Sequence, residues 1–290
     1  MKTRPLFLYI LLCCISAFFC LPAGAFSISP TRILATVDPG DSEIVRLKIG
    51  NDSLSTKIFH LVVVGVKQGL QGEPVFKNGI DAAESWVKFN ENNLIVPAQS
   101  GTEAVFEIKI PKQVYSGTHY LGLGVEEKNL AVGTVGVSGK IFSLVNLKVA
   151  GNAVESLQTK KFVALTTVGD WQCEADLVNV GNVEVPYKVK AEVYNWRSKK
   201  LSSQSILEKS VLIPQAQRVL QFTIKSDQFF WPGPRDVNLV VNYGLTNQTA
   251  VSTLRVWYWP VWSVVLLILI AVIIIVGIGY WKLRPKKYEL

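Results

Sequence analysis

Tyr187-Lys188-Val189-Lys190-Ala191-Glu192-Val193-Tyr194 is the stretch that decides the fold class. Apolar and charged residues alternate through it, so an extended chain places the apolar set on one face and the charges on the other. That pattern predicts a β-strand with one face in a core. Similar short runs, alternating or β-branched, recur at residues 173–178, 219–224, 237–241 and 252–257, and earlier at 44–49, 58–66, 104–110, 120–125 and 140–149. Gly, Pro, Asn and Asp separate them, as in antiparallel sandwiches. No long segment has a 3.6-residue apolar period, and only a short helical turn is expected around residues 82–86.

The strand-rich region repeats itself. Val96-Pro97-Ala98-Gln99 precedes Phe106-Glu107-Ile108 and Gly117, much as Ile213-Pro214-Gln215-Ala216 precedes Phe222-Thr223-Ile224 and Gly233. Upstream, Gly50-Asn51 answers Gly181-Asn182, and both pairs fit turns with positive φ. From Gly50 to Pro97 is 47 residues against 33 from Gly181 to Pro214, which places an insertion around residues 68–86. We therefore expect an all-β ectodomain of two tandem immunoglobulin-like antiparallel β-sandwiches, at residues 26–151 and 152–256. Each is near the ~100 residues that such a domain needs.

Both ends carry apolar segments of another kind. Lys2 and Arg4 precede an apolar run from Leu6 to Leu21 and then Pro22-Ala23-Gly24-Ala25, which reads as a secretory signal peptide over residues 1–25, cleaved after Ala25. Residues 261–280 contain no charge, and at 1.5 Å per residue they span roughly 30 Å, the thickness of a bilayer core. A single C-terminal transmembrane α-helix is expected, with its aromatic belts covering residues 257–281. Trp257, Tyr258, Trp259 and Trp262 at one end, with Tyr280 and Trp281 at the other, are its expected membrane-interface anchors. Lys282, Arg284, Lys286 and Lys287 follow in a short basic tail, residues 282–290, and positive residues are retained on the cytoplasmic side. The expected topology is a single-pass cell-membrane protein with its ectodomain extracellular or periplasmic and its C-terminus cytoplasmic.

Cysteine usage and charge narrow the setting. Cys13, Cys14 and Cys20 lie in the leader, so Cys173 alone remains and no intrachain disulfide can form. That favours a bacterial or archaeal envelope, and Cys173 reads as a buried core residue. Without the leader and the tail, 24 of the 30 Lys and Arg face 21 of the 22 Asp and Glu. The resulting balance of charge offers no nucleic-acid surface.

Several short motifs carry a resemblance. Phe26-Ser27-Ile28-Ser29-Pro30-Thr31-Arg32-Ile33, Val37-Asp38-Pro39-Gly40-Asp41, Ile110-Pro111, Ser116-Gly117-Thr118-His119-Tyr120-Leu121-Gly122 and the segment from Gly133 to Gly151 look like the framework of bacterial envelope sandwich domains. With the leader, two sandwiches, one helix and basic tail, they resemble the WxL-interacting-protein family. That resemblance implies a peptidoglycan-binding first domain. A more distant likeness is to periplasmic pilus chaperones, which grip a partner's C-terminal carboxylate with an Arg and a Lys. Arg32 matches the first by motif, and Lys140 is a weaker match for the second. Two surface cations on strand ends are the plainer reading of both.

Catalytic chemistry is not spelled out. The two histidines, His60 and His119, lie in separate runs without ligand spacing and read as structural. No metal site, nucleophile elbow, phosphate loop or cofactor motif is present, and no small-molecule substrate is implied. Exposed aromatics bind glycans and protein surfaces without such groups. Trp86 in the insertion, Trp196 at a hairpin tip and Trp231 are therefore candidates, with core packing the stronger expectation for Trp231. Trp171 is expected in the core. The expected function is a non-enzymatic, membrane-anchored cell-envelope protein that binds a cell-wall polymer or another surface protein. The alternative is an assembly factor of the pilus-chaperone kind, which accepts a partner strand at a sheet edge.

Overall fold

The computed structural model describes residues 26–128, 139–165, 170–225 and 231–283, with side chains through Trp281. The leader and its cleavage point, Gly133, Phe229, Phe230, the side chain of Lys282, and Arg284, Lys286 and Lys287 lie outside the described residues.

The chain is all-β, with immunoglobulin-like sandwiches followed by one long apolar helix. Its strands are β1 (Phe26–Ser29), β2 (Arg32–Val37), β3 (Ser42–Asn51), β4 (Lys57–Gln68), β5 (Pro74–Lys77), β6 (Val87–Lys88), β7 (Asn93–Val96), β8 (Ser100–Lys109), β9 (Gly117–Glu127) and β10 (Lys140–Val149). There follow β11 (Leu157–Ala164), β12 (Trp171–Asn179), β13 (Val185–Asn195), β14 (Lys200–Leu212), β15 (Gln217–Ile224), β16 (Gly233–Tyr243) and β17 (Gln248–Tyr258), then helix α1 (Val261–Leu283). The described residues form two compact units, one within Phe26–Val66 and Phe76–Gly151, the other within Lys67–Val75 and Asn152–Leu283.

In the first unit a four-stranded sheet, β1-β3-β8-β6, faces a six-stranded sheet, β2-β10-β9-β4-β5, in which β7 also pairs with β4. Leu47, Ile49, Phe59, Phe106, Ile108, Leu121, Leu123 and Leu147 fill the space between them, each fully buried. The insertion forms β5 and a 3₁₀ turn over Ala82–Trp86. Asp81 caps that turn by accepting from the Ala83 N–H (2.9 Å), while Glu84 accepts from the Asp81 N–H (3.0 Å).

In the second unit β11-β12-β15 faces β14-β13-β16-β17. The alternation from Tyr187 to Tyr194 is realised: Tyr187, Val189, Ala191 and Val193 are buried, and the residues between them are not. Trp171 and Cys173 are core residues. Gln68, in the segment grouped with this unit, donates to the Val211 carbonyl (3.0 Å) and accepts from the Ile213 N–H (3.1 Å).

The internal repeat is real, but its chemistry differs from the expectation. Gly50 and Gly181 do not have positive φ. Close approach is what requires them: a Cβ on Gly50 would lie 2.5 Å from Ser27 Oγ, and one on Gly181 2.1 Å from the Val154 carbonyl oxygen. The equivalent asparagines are Asn51 and Asn179, both fully buried at strand ends. Asn51 Nδ2 donates to the Val96 carbonyl (3.1 Å) and Asn179 Nδ2 to that of Leu212 (2.9 Å), so each amide ties a strand to the segment before the next turn. The positive-φ residues of those turns are Gln99 and Gln215.

Candidate functional site: an open edge of the first sandwich

The site follows from the way the chain enters the first sandwich. β1 pairs antiparallel with β3, in register from Phe26 opposite Asn51 to Ser29 opposite Lys48. Pro30 has no N–H and cannot continue that ladder. Beyond it the chain changes sheets, and β2 pairs parallel with β10, Arg32 opposite Leu144 through Val37 opposite Val149. β2 therefore covers only the second half of β10.

The first half, Lys140 to Ser143, pairs with β9 on one side (Lys140 opposite Glu126, Ser143 opposite Leu123). On its other side no strand pairs with it among the described residues. The Leu144 N–H donates to the Thr31 carbonyl at 2.9 Å, and strand groups alternate sides, so Lys140 and Phe142 also direct N–H and C=O to the β2 side. An unpaired edge roughly 13 Å long results, from four residues at ~3.3 Å each.

The surroundings of this edge are apolar with one cation. Ile141 packs on the core, Phe142 stacks on Phe76 at 5.1 Å between centroids, and Phe26 packs on Phe59 at the same distance. Lys140 is 3.0 Å from Glu126, so its charge is matched. Arg32 is exposed at the corner where β2 begins and has neither an acidic partner nor a side-chain hydrogen bond among the described residues. Ser143 Oγ is buried without a hydrogen-bond partner among them.

Arg32 and Lys140 are not brought together. Lys140 lies four residues before Leu144, the register partner of Arg32. Trp86 is a correction: it is only 8% exposed and lies edge-on to His119 at 4.8 Å, because the capped 3₁₀ turn points it into the core. His119 Nδ1 is 2.9 Å from Asp81 Oδ1. Burial pushes the Asp81 carboxyl up, but the His119 hydrogen bond and charge, with the Ala83 and Tyr120 N–H groups, outweigh it and hold the group below the ordinary carboxylate value.

The interface aromatics divide. Trp257, Trp262, Tyr280 and Trp281 are exposed, and Trp259 is half-buried. Tyr258 is corrected to a core residue, edge-on to Trp171 at 5.8 Å, because strand alternation turns it inward while Trp257 turns out. Trp231, expected in the core, is 68% exposed and stands 6.3 Å from Trp262. Trp196 is exposed at the tip between β13 and β14. Among the described residues no three His, Cys, Asp or Glu side chains cluster as metal ligands.

No family model matches the chain, and no curated protein sequence does. Nothing in the comparisons adds to the WxL resemblance or to the peptidoglycan ligand that it implies. Solved structures of similar fold include a chaperone–tip adhesin complex of CFA/I fimbriae biogenesis (12% identity, 79% of this chain and 98% of that one, TM-score 0.46). Another is the class 5 fimbriae chaperone CfaA (12% identity, 82% and 100%, TM-score 0.43). A third is the CsuC–CsuE chaperone–tip adhesion subunit pre-assembly complex of Acinetobacter baumannii (12% identity, 79% and 97%, TM-score 0.39). At these identities and TM-scores, the likeness carries nothing about what this chain does.

Proposed function

We propose that this chain is a non-enzymatic, membrane-anchored envelope protein whose first sandwich accepts an extended segment of a partner protein along the first half of β10. The observation that carries the reading is the incomplete cover of that strand: among the described residues nothing pairs with the donors and acceptors of Lys140 and Phe142 on that side, and apolar side chains flank them. Strand addition takes its affinity from such main-chain groups and its selectivity from the side chains between them.

The lone cation sets a direction. A segment in line with β2 and parallel to β10 ends at Arg32 with its C-terminus, while an antiparallel one brings a positive N-terminus there. Arg32 favours the first, so the bound segment is a partner's C-terminal tail with a free carboxylate. The cell-wall reading loses the aromatic platform expected at Trp86. The anchor is α1, the one described helix long and apolar enough to cross a membrane. Two residues separate it from the end of β17, and the Pro260 carbonyl accepts from the Ser263 N–H (3.0 Å) and hydroxyl (2.7 Å). The proposed location is the cell membrane, with the sandwiches outside the cytoplasm and the basic tail inside.

A photo-reactive benzoylphenylalanine at position 142 of the full chain, in its native envelope, tests the reading. Adducts should map by mass spectrometry to the C-terminal residues of an envelope protein and should weaken in Arg32→Ala. Adducts no different from those of the same probe at the exposed Ile44 would sink it.

A further inference from the structure

We infer that the tip of the β13–β14 hairpin is a second membrane contact, which presses Trp196, Arg197 and Lys199 onto an anionic phospholipid surface beside the helix. The inference rests on the proposed membrane anchoring and goes beyond it, since the helix alone needs nothing from this hairpin.

Register places the tip there. β13 is antiparallel to β16 and β16 to β17, so β13 and β17 run in the same direction and finish at the same end of the sheet. Asn195 lies opposite Arg235, Arg235 opposite Val256, and Gly233 opposite Tyr258. The tip residues beyond Asn195 are thus level with Trp257 and Tyr258, two strand spacings or about 10 Å to the side. Helix α1 starts at Val261, three residues beyond Tyr258.

The tip is built to hold its shape. Asn195 Oδ1 accepts from the N–H groups of Arg197 and Lys199, each at 2.9 Å, and the Ser198 N–H donates to the Asn195 carbonyl (2.9 Å). Ser198 sits at φ 58° and closes the loop as a turn with a left-handed last residue. Trp196 is 65% exposed, with the Arg197 guanidinium 4.4 Å from its ring centroid. Lys200 pairs with Glu192, but Arg197 and Lys199 have no acidic partner among the described residues. An exposed indole with two unmatched cations is the pairing that suits headgroup level at a negative surface, where aromatic rings partition and Lys and Arg are attracted. Trp257, Trp262 and Trp231 continue the same rim, so the tip extends a surface that the anchor has already brought to the bilayer.

The test uses the full chain reconstituted in vesicles of phosphatidylcholine alone or with about a third phosphatidylglycerol, doped with bromolipid that quenches tryptophan at the interface. Flotation with the vesicles is scored first. A chain that does not float overturns the membrane anchoring and this contact with it. For a chain that floats, Trp196→Phe should remove a measurable part of the quenching in anionic vesicles. That part should fall at least twofold in pure phosphatidylcholine and in Arg197→Ala/Lys199→Ala. If Trp196→Phe removes no quenching, or removes as much in both vesicle types, the contact is refuted while the anchor stands.

Discussion

Proline at two neighbouring positions of β10 separates an open edge from a covered one. The N–H of Phe142 points to the side where β2 is absent, while that of Ser143 points to β9, where Ser143 lies opposite Leu123. Proline removes one N–H and fixes φ near −65°. At position 143 it breaks a buried ladder bond and forces the ring against the partner strand, costing about 3 kcal/mol or more relative to Ser143→Ala. At position 142 no ladder bond to a described residue is lost. Phe142→Pro and Phe142→Ala share the loss of the Phe76 stack, worth about 1 kcal/mol, and should differ from each other by less than about 0.5 kcal/mol. For a sandwich near 120 residues, the Ser143→Pro deficit corresponds to a fall of about 10 °C in the midpoint of the first unit. Thermal unfolding of the full chain, followed by hydrogen exchange in β9 and β10, reads both. In the crosslinking assay with the probe moved to Lys140, Phe142→Pro should also lose capture relative to Phe142→Ala by about fivefold, the worth of one net backbone bond of about 1 kcal/mol. Equal stability costs for the two prolines, each against its alanine control, would mean that the Phe142 N–H is already paired and would refute the open edge.

Three further outcomes follow from side chains placed by the same fold. Burial pushes the Cys173 thiol up to about 11, so iodoacetamide at pH 8 should alkylate the folded chain at least ~100-fold more slowly than the urea-unfolded one; comparable rates would contradict its place in the core. The Asp81 carboxyl is held below its ordinary value of 3.8 in the folded chain, so its stabilising contribution is fully present above that value and is lost as pH falls through the lower folded one. Acid unfolding of the first unit should therefore show a shallower pH dependence in Asp81→Asn, and an unchanged slope would argue against the His119 pairing. Tyr258→Ala, which empties a buried site against Trp171, should cost about 3 kcal/mol or more in urea unfolding, whereas Trp257→Ala should stay within about 0.5 kcal/mol; the reverse order would invert the assignment of core and rim.

How far the sequence could be read depended on whether a residue's fate was local. Strands with one wet and one dry face declared themselves, and β10 and β13 are found where alternation puts them. β14 is hard to see in the sequence because Ser202, Ser203, Gln204 and Ser205 carry little apolar signal on an edge strand whose pairing with β13 is broken by register shifts. β11 is polar for the same reason, at the edge of the opposite sheet. Composition alone cannot distinguish Trp257 from Tyr258 in the aromatic cluster before α1; the period of two running in from β17 does. Trp86 needed the capping box of Asp81 and Glu84 to be recognised as a turn that aims inward. Trp231 precedes Pro232-Gly233 at the start of β16, and no periodic run reaches it, so neither burial nor exposure was encoded within a few residues of it.

The candidate site is the least legible feature, because it consists of one side of a strand that no described residue pairs with. Pairing across sheets is a long-range property, and the sequence of β10 reads the same whether β2 covers all of it or half. The one local signal is Pro30. By ending the β1 ladder it fixes where the chain can begin to pair in the opposite sheet, and so it fixes that Arg32, rather than a residue four positions earlier, stands at the boundary between covered and open β10. The resemblance to pilus chaperones singled out the same arginine from a motif, but it paired it with Lys140, whose charge Glu126 already matches. In the strand acceptance proposed above, a single cation at the end of a four-residue edge without a partner among the described residues selects between the two ends of an incoming chain. A carboxylate is favoured there and an ammonium disfavoured, so one charge suffices to set polarity, while the main-chain groups of Lys140 and Phe142 set register.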